Sequence, residues 1–318
     1  MSDTTEPTGR VERSDRVRVV FLGSPGDAVP PLRALVAAGH EVALVVTQPD
    51  RRRGRGAGTT ASPVKQAALE LGLPVVTPQR AGDAIDDVTA SGASLGVVVA
   101  YGQLLRPDFL AALPGGFVNL HFSLLPRWRG AAPVERAVLA GDHETGVCLM
   151  RVEAGLDTGG VFRSSRVTIG DDETAGELRA RLVEVGTDLL VAGLPDVART
   201  EPEPQRGETT YAEKLTVEEF EIDPTVAAAA VGRLVRAGNP RPGAWCTVAG
   251  RRVKVWRARP TDLPIPDDAR PGTITRRGAL VVGDGLLELA EVQPEGKKPM
   301  TGAAFVAGLP ADARHLDP

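Results

Sequence analysis

The feature that most restricts the fold is a series of short, nearly uninterrupted Val and Leu runs in the first half of the chain, alternating with helical patterns. VRVVFLG (residues 17–23) runs into a Gly-Ser-Pro-Gly turn, VPPLRALVAAG has helical apolar spacing closed by Gly39, and EVALVVTQ reads as a second strand. The alternation continues through SPVKQAALELG with PVVTP, a short helical stretch with SLGVVVAYG, the strand FVNLHF, a helix over 134–140 and the strand GVCLMRVE. Strands without a polar face, interleaved with helices, predict a parallel sheet buried on both sides. In such sheets ligands sit at the carboxyl ends of the strands. The first turn is not GxGxxG, so nothing points to a bound dinucleotide.

A chain of 318 residues with 42% apolar side chains can fill one large core or two ordinary ones. The first fifteen residues, MSDTTEPTGRVERSD, are polar and read as a tail (1–15) without a signal-peptide apolar core. No apolar run approaches the roughly eighteen residues of a membrane helix, so no membrane partner is expected. Cys148 and Cys246 lie far apart with no CxxC or His-rich neighbour, which predicts neither a disulfide framework nor a metal site and fits a reducing cytoplasm.

After a helical stretch from Thr174 to about Leu194, the composition shifts to ARTEPEPQRGETT, rich in Pro, Glu and Thr. That stretch reads as a linker (197–210) between a domain over 16–196 and a second over 211–318. The second has one helical segment over 225–236 and then the β-like pieces AWCTVAG, RRVKVWRA, GTITRRG, ALVVGDG and LLELAEVQP, whose spacing predicts a small barrel.

Asn119 and His121 lie two apart in FVNLHF and therefore share one side of a strand near its exit. An amide N–H suits an oxyanion, and an imidazole suits proton movement or stabilisation of developing charge. By the residues alone, a structural histidine is an equal reading. Asp157, in the glycine-rich GLDTGG, is either a turn residue or a carboxylate that orients His121. SLLP (123–126) is either core or one wall of an apolar slot for a flat heteroaromatic ligand.

NLHFSLLPRWRGAAP followed by GLDTG closely resembles the NxHxSLLPxxRGxxP and GLDTG signatures of the folate-dependent formyltransferases. The likeness runs along nearly the whole chain after the tail, through FLGSP, VVTQPD, SPVK, VVVAYG, YAEKL, VRAGNP, VKVW and VQPEGKKPM. It implies an α/β fold: a Rossmann-like, mostly parallel sheet with helices on both faces, and a smaller C-terminal OB-like β-barrel. It implies transfer of the formyl group of 10-formyltetrahydrofolate to the α-amine of methionine on initiator tRNA, without a metal and by a monomer. The family's catalytic trio falls on Asn119, His121 and Asp157, and its folate wall on Ser123, Leu124, Leu125 and Pro126.

The family's loop after the second strand enters the tRNA acceptor arm. Here it is QPDRRRGRGAGTTASP, with Arg51, Arg52, Arg53 and Arg55 as candidate phosphate contacts. Ala57 and Gly58 stand where the family has a lysine pair, and Asp27 where an aromatic is common. Net charge is −4, yet residues 224–261 carry eight basic side chains and no acidic one. With Lys297 and Lys298 they form the candidate tRNA face of the barrel, and simple balancing of acidic residues elsewhere is not the expected reading. Trp245 and Trp256 are expected in the barrel core rather than as stacking platforms. Relatives using the same trio formylate sugar nucleotides or glycinamide ribonucleotide, and another hydrolyses formyl-folate. RGAAP, the basic loop and GKKPM favour the tRNA enzyme over these, and the intact trio argues against an inactive RNA-binding scaffold.

Overall fold

The computed structural model describes residues 15–52, 59–197, 199–267 and 269–317. Its first half runs β1 (Arg18–Gly23), α1 (Val29–Ala38), β2 (Glu41–Val46), β3 (Arg51–Arg52), β4 (Thr59–Thr60), α2 (Pro63–Glu70), β5 (Val75–Val76), α3 (Ile85–Ala90), β6 (Leu95–Val99), α4 (Pro107–Leu110) and β7 (Phe117–His121). There follow β8 (Arg129–Gly130), α5 (Pro133–Ala140), β9 (Glu144–Arg151), β10 (Val161–Thr168) and α6 (Ala175–Val197). The remainder is β11 (Tyr211–Ala212), α7 (Ala228–Gly238), β12 (Ala244–Val248), β13 (Arg251–Thr261), β14 (Ala279–Val282), β15 (Gly285–Pro294) and α8 (Gly302–Ala307). Two compact units result. One holds the chain to Arg129 with Gly146–Val167 and Ala180–Thr210; the other holds Gly130–Thr145, Thr168–Arg179 and the chain from Tyr211. Among the described residues no helix is long and apolar enough to cross a membrane.

The first unit is organised by a seven-stranded sheet of order β10-β9-β7-β6-β1-β2-β5. Its centre is parallel: β1 pairs with β2 and β6, β2 with β5, and β6 with β7. The expected mostly parallel sheet has its antiparallel departure at GVCLMRVE, where β9 runs antiparallel to β7, from Val118↔Arg151 to His121↔Cys148. An apolar run reports burial on both faces and carries no information about strand direction, and a mixed sheet with an antiparallel flank satisfies it equally. Four successive side chains of β1, Val19, Val20, Phe21 and Leu22, are fully buried. Because side chains alternate across a strand, both faces of the sheet are covered. Each such side chain contributes about 1.5–3 kcal/mol on burial.

A core of this unit gathers Val20, Leu22, Leu44, Val46, Val88, Phe109 and Phe117. Phe117 lies in register with Gly96 of β6 and stacks on the neighbouring Phe109, ring centroids 5.3 Å apart. A methyl group at Gly96 would fall 1.9 Å from the Phe117 ring, so only glycine allows the ring to lie on the strand. Local signals set the helices: Pro63 opens α2 behind Ser62, whose hydroxyl accepts from the Lys65 amide at 3.0 Å, and α1 closes on the left-handed Gly39.

The second unit is built on an antiparallel sheet of order β12-β13-β15-β14. Val231 and Val235, one turn apart on α7, pack with Cys246, Val248, Val253, Val255, Leu287, Leu289 and Val292 in one core. β13 changes register between Val255 and Ala258, and such bulges bend a strand, giving the sheet its barrel-like curl. The helix expected over 225–236 starts later, at Ala228. Thr225 is held in a turn by the Asp223 carboxylate through its amide (2.8 Å) and hydroxyl (2.7 Å), and the Ala228 amide is capped by the distant Asp284 at 2.7 Å. GTITRRG, read as a strand, contributes only isolated bridges, Thr273↔His315 and Ile274↔Leu280.

The two tryptophans are not in the core. The pleat turns Ala244, Cys246 and Val248 inward, which sends Trp245 outward, and Trp256 alternates with the inward Val255 in the same way. Each ring is half-buried beneath a cation: the Arg252 guanidinium lies 3.6 Å from the Trp245 centroid and the Lys254 ammonium 4.9 Å from that of Trp256. The eight basic residues of 224–261 are also partly spent within this unit. Arg257 pairs with Glu177 and Arg259 with Asp172, while Arg233 and Arg236 donate to the carbonyls of Leu139 and Glu173, both at 3.2 Å. Charge balancing, set aside from the sequence, holds for Arg257 and Arg259. Glu177, the partner of Arg257, has its carboxyl pKa held down to about 2 by the Thr174 amide first and then by Arg257.

Two outcomes are expected for the first unit. Gly96→Ala should lower its stability by about 1–3 kcal/mol through overpacking, read as a lower thermal or urea midpoint. The second concerns His40, which is buried, with Nδ1 accepting the Val17 amide at 3.2 Å and Nε2 lacking a partner among the described residues. Burial lowers its pKa from 6.5, so the unfolded chain takes up the proton first and stability falls as pH drops below about 6.5. His40→Asn, which keeps an acceptor near the Nδ1 position, should flatten that decline between pH 7 and 5; an unchanged slope would show that His40 is not its source.

Candidate active site

The strands β1, β2, β6 and β7 all end at one edge of the first unit's sheet, and the loops leaving them are tied together there. The Thr47 side chain, fully buried, shares a 2.7 Å hydrogen bond with the Ser62 hydroxyl. The Gln48 amide donates to Ser24 Oγ at 3.2 Å, and the Gln48 side chain donates to the Tyr101 carbonyl at 2.9 Å. FLGSP, VVTQPD, SPVK and VVVAYG, distant in sequence, thus meet in one polar network. Tyr101 is buried beside it, its phenol pushed up to about 12 by desolvation and by Asp83.

Asn119 and His121 emerge from β7 at this edge. Asn119, half-buried, lies in register with Val98 on one side and Met150 on the other; His121, only 5% exposed, is opposite Cys148. His121 Nε2 is 3.0 Å from the Trp128 carbonyl. A carbonyl only accepts, so Nε2 carries the proton and Nδ1 is the nitrogen left for chemistry. Nδ1 faces Asp157 Oδ2 at 3.6 Å, too long for a settled hydrogen bond but close enough for the carboxylate to attract the ring once Nδ1 takes up a proton. The structure therefore brings Asp157 to the imidazole across 36 residues of chain.

The loop carrying Asp157 is constrained. Asp157 has φ +49°, a left-handed conformation that a non-glycine residue adopts at a cost of about 1–2 kcal/mol. Gly159 sits so close to β9 that a methyl there would fall 2.0 Å from the Arg151 carbonyl. The Gln205 amide donates to the carbonyls of Asp157 and Gly159, each at 2.8 Å. Gln205 lies in the stretch whose composition reads as a linker, and no motif or period marks it.

The other candidate residues are placed as follows. Ser123 is fully buried with its hydroxyl donated to the Arg127 carbonyl at 2.6 Å, which ties the loop to itself. Leu124 and Leu125 are half-buried, Leu124 resting against the bare backbone of Gly146, and Pro126 is buried. An apolar surface thus adjoins the histidine within the same loop. Arg51 and Arg52 form β3, paired in register with Thr60 and Thr59 of β4. Arg53 and Arg55, with Ala57 and Gly58, lie outside the described residues. Asp27 lies in the short turn Gly26–Ala28 that precedes α1. Lys297 and Lys298 are exposed in the turn after β15, and the Lys297 carbonyl accepts from the Gln293 side chain at 2.9 Å. Chemically, the site offers an amide, an imidazole and a carboxylate beside an apolar wall, a set suited to stabilising an oxyanion while moving a proton.

Comparison with known proteins bears on the reaction. Residues 17–194 match the family model described as formyl transferase, and residues 214–310 match that of the formyl transferase C-terminal domain. A methionyl-tRNA formyltransferase from Paracoccus denitrificans is 46% identical over 296 residues, covering 92% of this chain and 98% of that protein. One from Heliobacterium modesticaldum is 44% identical over 306 residues, covering 92% and 97%. Among solved structures, HypX from Aquifex aeolicus in complex with tetrahydrofolic acid aligns with a TM-score of 0.65 at 17% identity, over 92% of this chain and 47% of that one. The chain thus spans about half the length of HypX. The sugar 3N-formyl transferase WlaRD aligns with a TM-score of 0.63 at 15% identity, over 89% of this chain and 99% of that one. At these identities the two structures speak to the fold alone.

Proposed function

The chain belongs to the formyl transferase family, in its methionyl-tRNA formyltransferase branch, and we propose that it moves the formyl group of 10-formyltetrahydrofolate onto the α-amine of methionyl initiator tRNA through Asn119, His121 and Asp157. The observation that carries the assignment of residues is the buried His121, flanked by the Trp128 carbonyl and the Asp157 carboxylate at the carboxyl edge of the sheet.

The residues divide the work. The amine nitrogen attacks the formyl carbon and the carbonyl oxygen becomes an oxyanion; the Asn119 amide and a proton on His121 Nδ1 stabilise it. Nε2–H stays on Trp128, which fixes the plane of the ring. Asp157 accepts the proton lost by the amine and returns one toward the folate nitrogen as the bond from that nitrogen to carbon breaks, leaving formylmethionyl-tRNA and tetrahydrofolate. Ser123, Leu124, Leu125 and Pro126 wall the folate, and the Ser123 hydroxyl holds that loop in shape by donating to the Arg127 carbonyl. Arg51, Arg52, Arg53, Arg55, Lys297 and Lys298 meet the tRNA backbone.

The test is formyl transfer by purified protein from 10-formyltetrahydrofolate to methionyl initiator tRNA, with an amino-sugar nucleotide as competitor substrate. Formylation of the tRNA alone is expected; transfer to the sugar, or to neither while tRNA binds, would overturn the reading. Asp157→Asn should lower the rate about 10²–10⁴-fold, and Asn119→Ala about 10²–10³-fold. For the loop, Arg51→Ala and Arg52→Ala should weaken tRNA binding, each flattening the slope of log affinity against log salt by about one. Their formyl-folate KM should not move, and a changed folate KM with intact tRNA binding would remove the arginines from the tRNA contact.

A further inference from the structure

The segment 205–210 touches the site twice, and both contacts fall on unusual backbone. Four described non-glycine residues have positive φ, Ala100, Trp128, Asp157 and Ala249, and two of them, Trp128 (φ +62°) and Asp157 (φ +49°), flank His121 in a region unfavourable for residues that carry a side chain. Trp128 supplies the carbonyl that holds His121 Nε2, and Asp157 the carboxylate that faces His121 Nδ1. Two residues of the 205–210 segment hold these two points. The Trp128 amide donates to the Thr210 hydroxyl at 2.9 Å, and the Gln205 side chain donates to the Asp157 and Gly159 carbonyls.

The orientation of the Gln205 amide is settled by its neighbour. Arg129 donates to Gln205 Oε1 through Nε at 3.1 Å and Nη2 at 2.6 Å, and an arginine has no acceptor to offer. The oxygen therefore faces Arg129, and both N–H bonds of the amide are spent on the two loop carbonyls. Main-chain bonds fasten the other end of the segment: the Arg129 amide donates to the Thr210 carbonyl at 2.9 Å, and the Thr210 amide donates to the Pro126 carbonyl at 3.3 Å. The strained turns on either side of the imidazole thus share one brace.

We propose that Gln205 is a positioning residue for formyl transfer, holding the Asp157 loop in its left-handed turn so that the carboxylate faces His121, with Thr210 bracing the opposite side through Trp128. The proposal rests on Asp157 belonging to the reacting trio. Gln205 does not touch substrate; it acts through the backbone of the loop, and its contribution is to the geometry of the transition state rather than to binding. Gln205→Glu separates the two contacts of the side chain: a carboxylate keeps the bond from Arg129 and has no N–H for the carbonyls of Asp157 and Gly159.

The experiment is steady-state formyl transfer by the full chain carrying Gln205→Ala, Gln205→Glu, Asp157→Asn or Gln205→Ala with Asp157→Asn, with KM and kcat measured for both substrates. Both single Gln205 variants should lower kcat by about ten- to a hundredfold with both KM values nearly unchanged, the penalty of a misplaced catalytic group. The double variant should be no slower than Asp157→Asn, because Gln205 acts through the group already removed. A wild-type kcat in Gln205→Ala, an active Gln205→Glu, a loss carried by KM, or penalties that multiply in the double variant would each overturn the proposal. Should Gln205→Ala not fold, Gln205→Glu, with its Arg129 contact kept, carries the test. Thr210→Val should lower kcat and Thr210→Ser restore it. An Asp157→Asn variant with normal activity would overturn both the trio and the brace; a slow Asp157→Asn beside a fully active Gln205→Ala would remove only the brace.

Discussion

Burial of the central sheet on both faces is the constraint from which the rest of the first unit follows. With Val19 and Phe21 packed on one side of β1 and Val20 and Leu22 on the other, neither face can offer a polar surface to a ligand. Polar groups that must meet substrate are confined to the edge where the strands end. The close seat of Phe117 on Gly96 fixes the register of β6 against β7, and with it the height at which Asn119 and His121 leave the sheet. One missing methyl group inside the core thus bears on where the candidate chemistry stands.

At that edge the polar groups are held by main chain more than by one another. His121 is oriented by a carbonyl rather than a second side chain, Asp157 is aimed by its own left-handed backbone, and the Asp157–His121 distance of 3.6 Å leaves space between the two groups. Hydrogen bonds to backbone carbonyls and amides suit this task, since they fix a loop without placing another titrating group beside the histidine. Two residues in unfavourable backbone regions persist because surrounding bonds over-determine them.

In the second unit, six of the eight basic residues of 224–261 divide among three roles. Arg257 and Arg259 neutralise carboxylates, Arg233 and Arg236 close off carbonyls, and Arg252 and Lys254 lie over outward-facing indoles. Arg252 is exposed above its ring, whereas the half-buried Lys254 ammonium also donates to the Pro242 carbonyl at 3.1 Å. The indole N–H groups are themselves satisfied, Trp245 by the Val217 carbonyl and Trp256 by Gln293, which holds the stacked pairs in place. Arg252 and Lys254 therefore form an ordered basic surface, although the sequence run that drew attention to them serves other ends as well.

The alternation of apolar runs with helical spacing was sufficient for the α/β class, because burial and periodicity are local properties that each segment carries by itself. The same is true of the short strands and turns of the second unit, and of Asn119 and His121, whose shared side follows from their spacing of two. The GLDTG motif could be matched, but its meeting with His121 depends on how β9 and its following loop return to β7. Strand direction was not legible: β9 reads like its parallel neighbours and runs the other way. Nor was the role of Gln205, whose surroundings of Pro, Glu and Thr look like a connection and whose partners are carbonyls that every residue possesses. Trp245 departs from its expected place in the core for a related reason, since hydrophobicity favours the inside while the pleat, set by Ala244 and Cys246, sends it out. The sequence by itself determined most of the elements and which side chains are candidates for the chemistry; the tertiary structure alone decided which backbone groups hold those side chains in place, because a carbonyl or amide has no signature until the chain brings it to its partner.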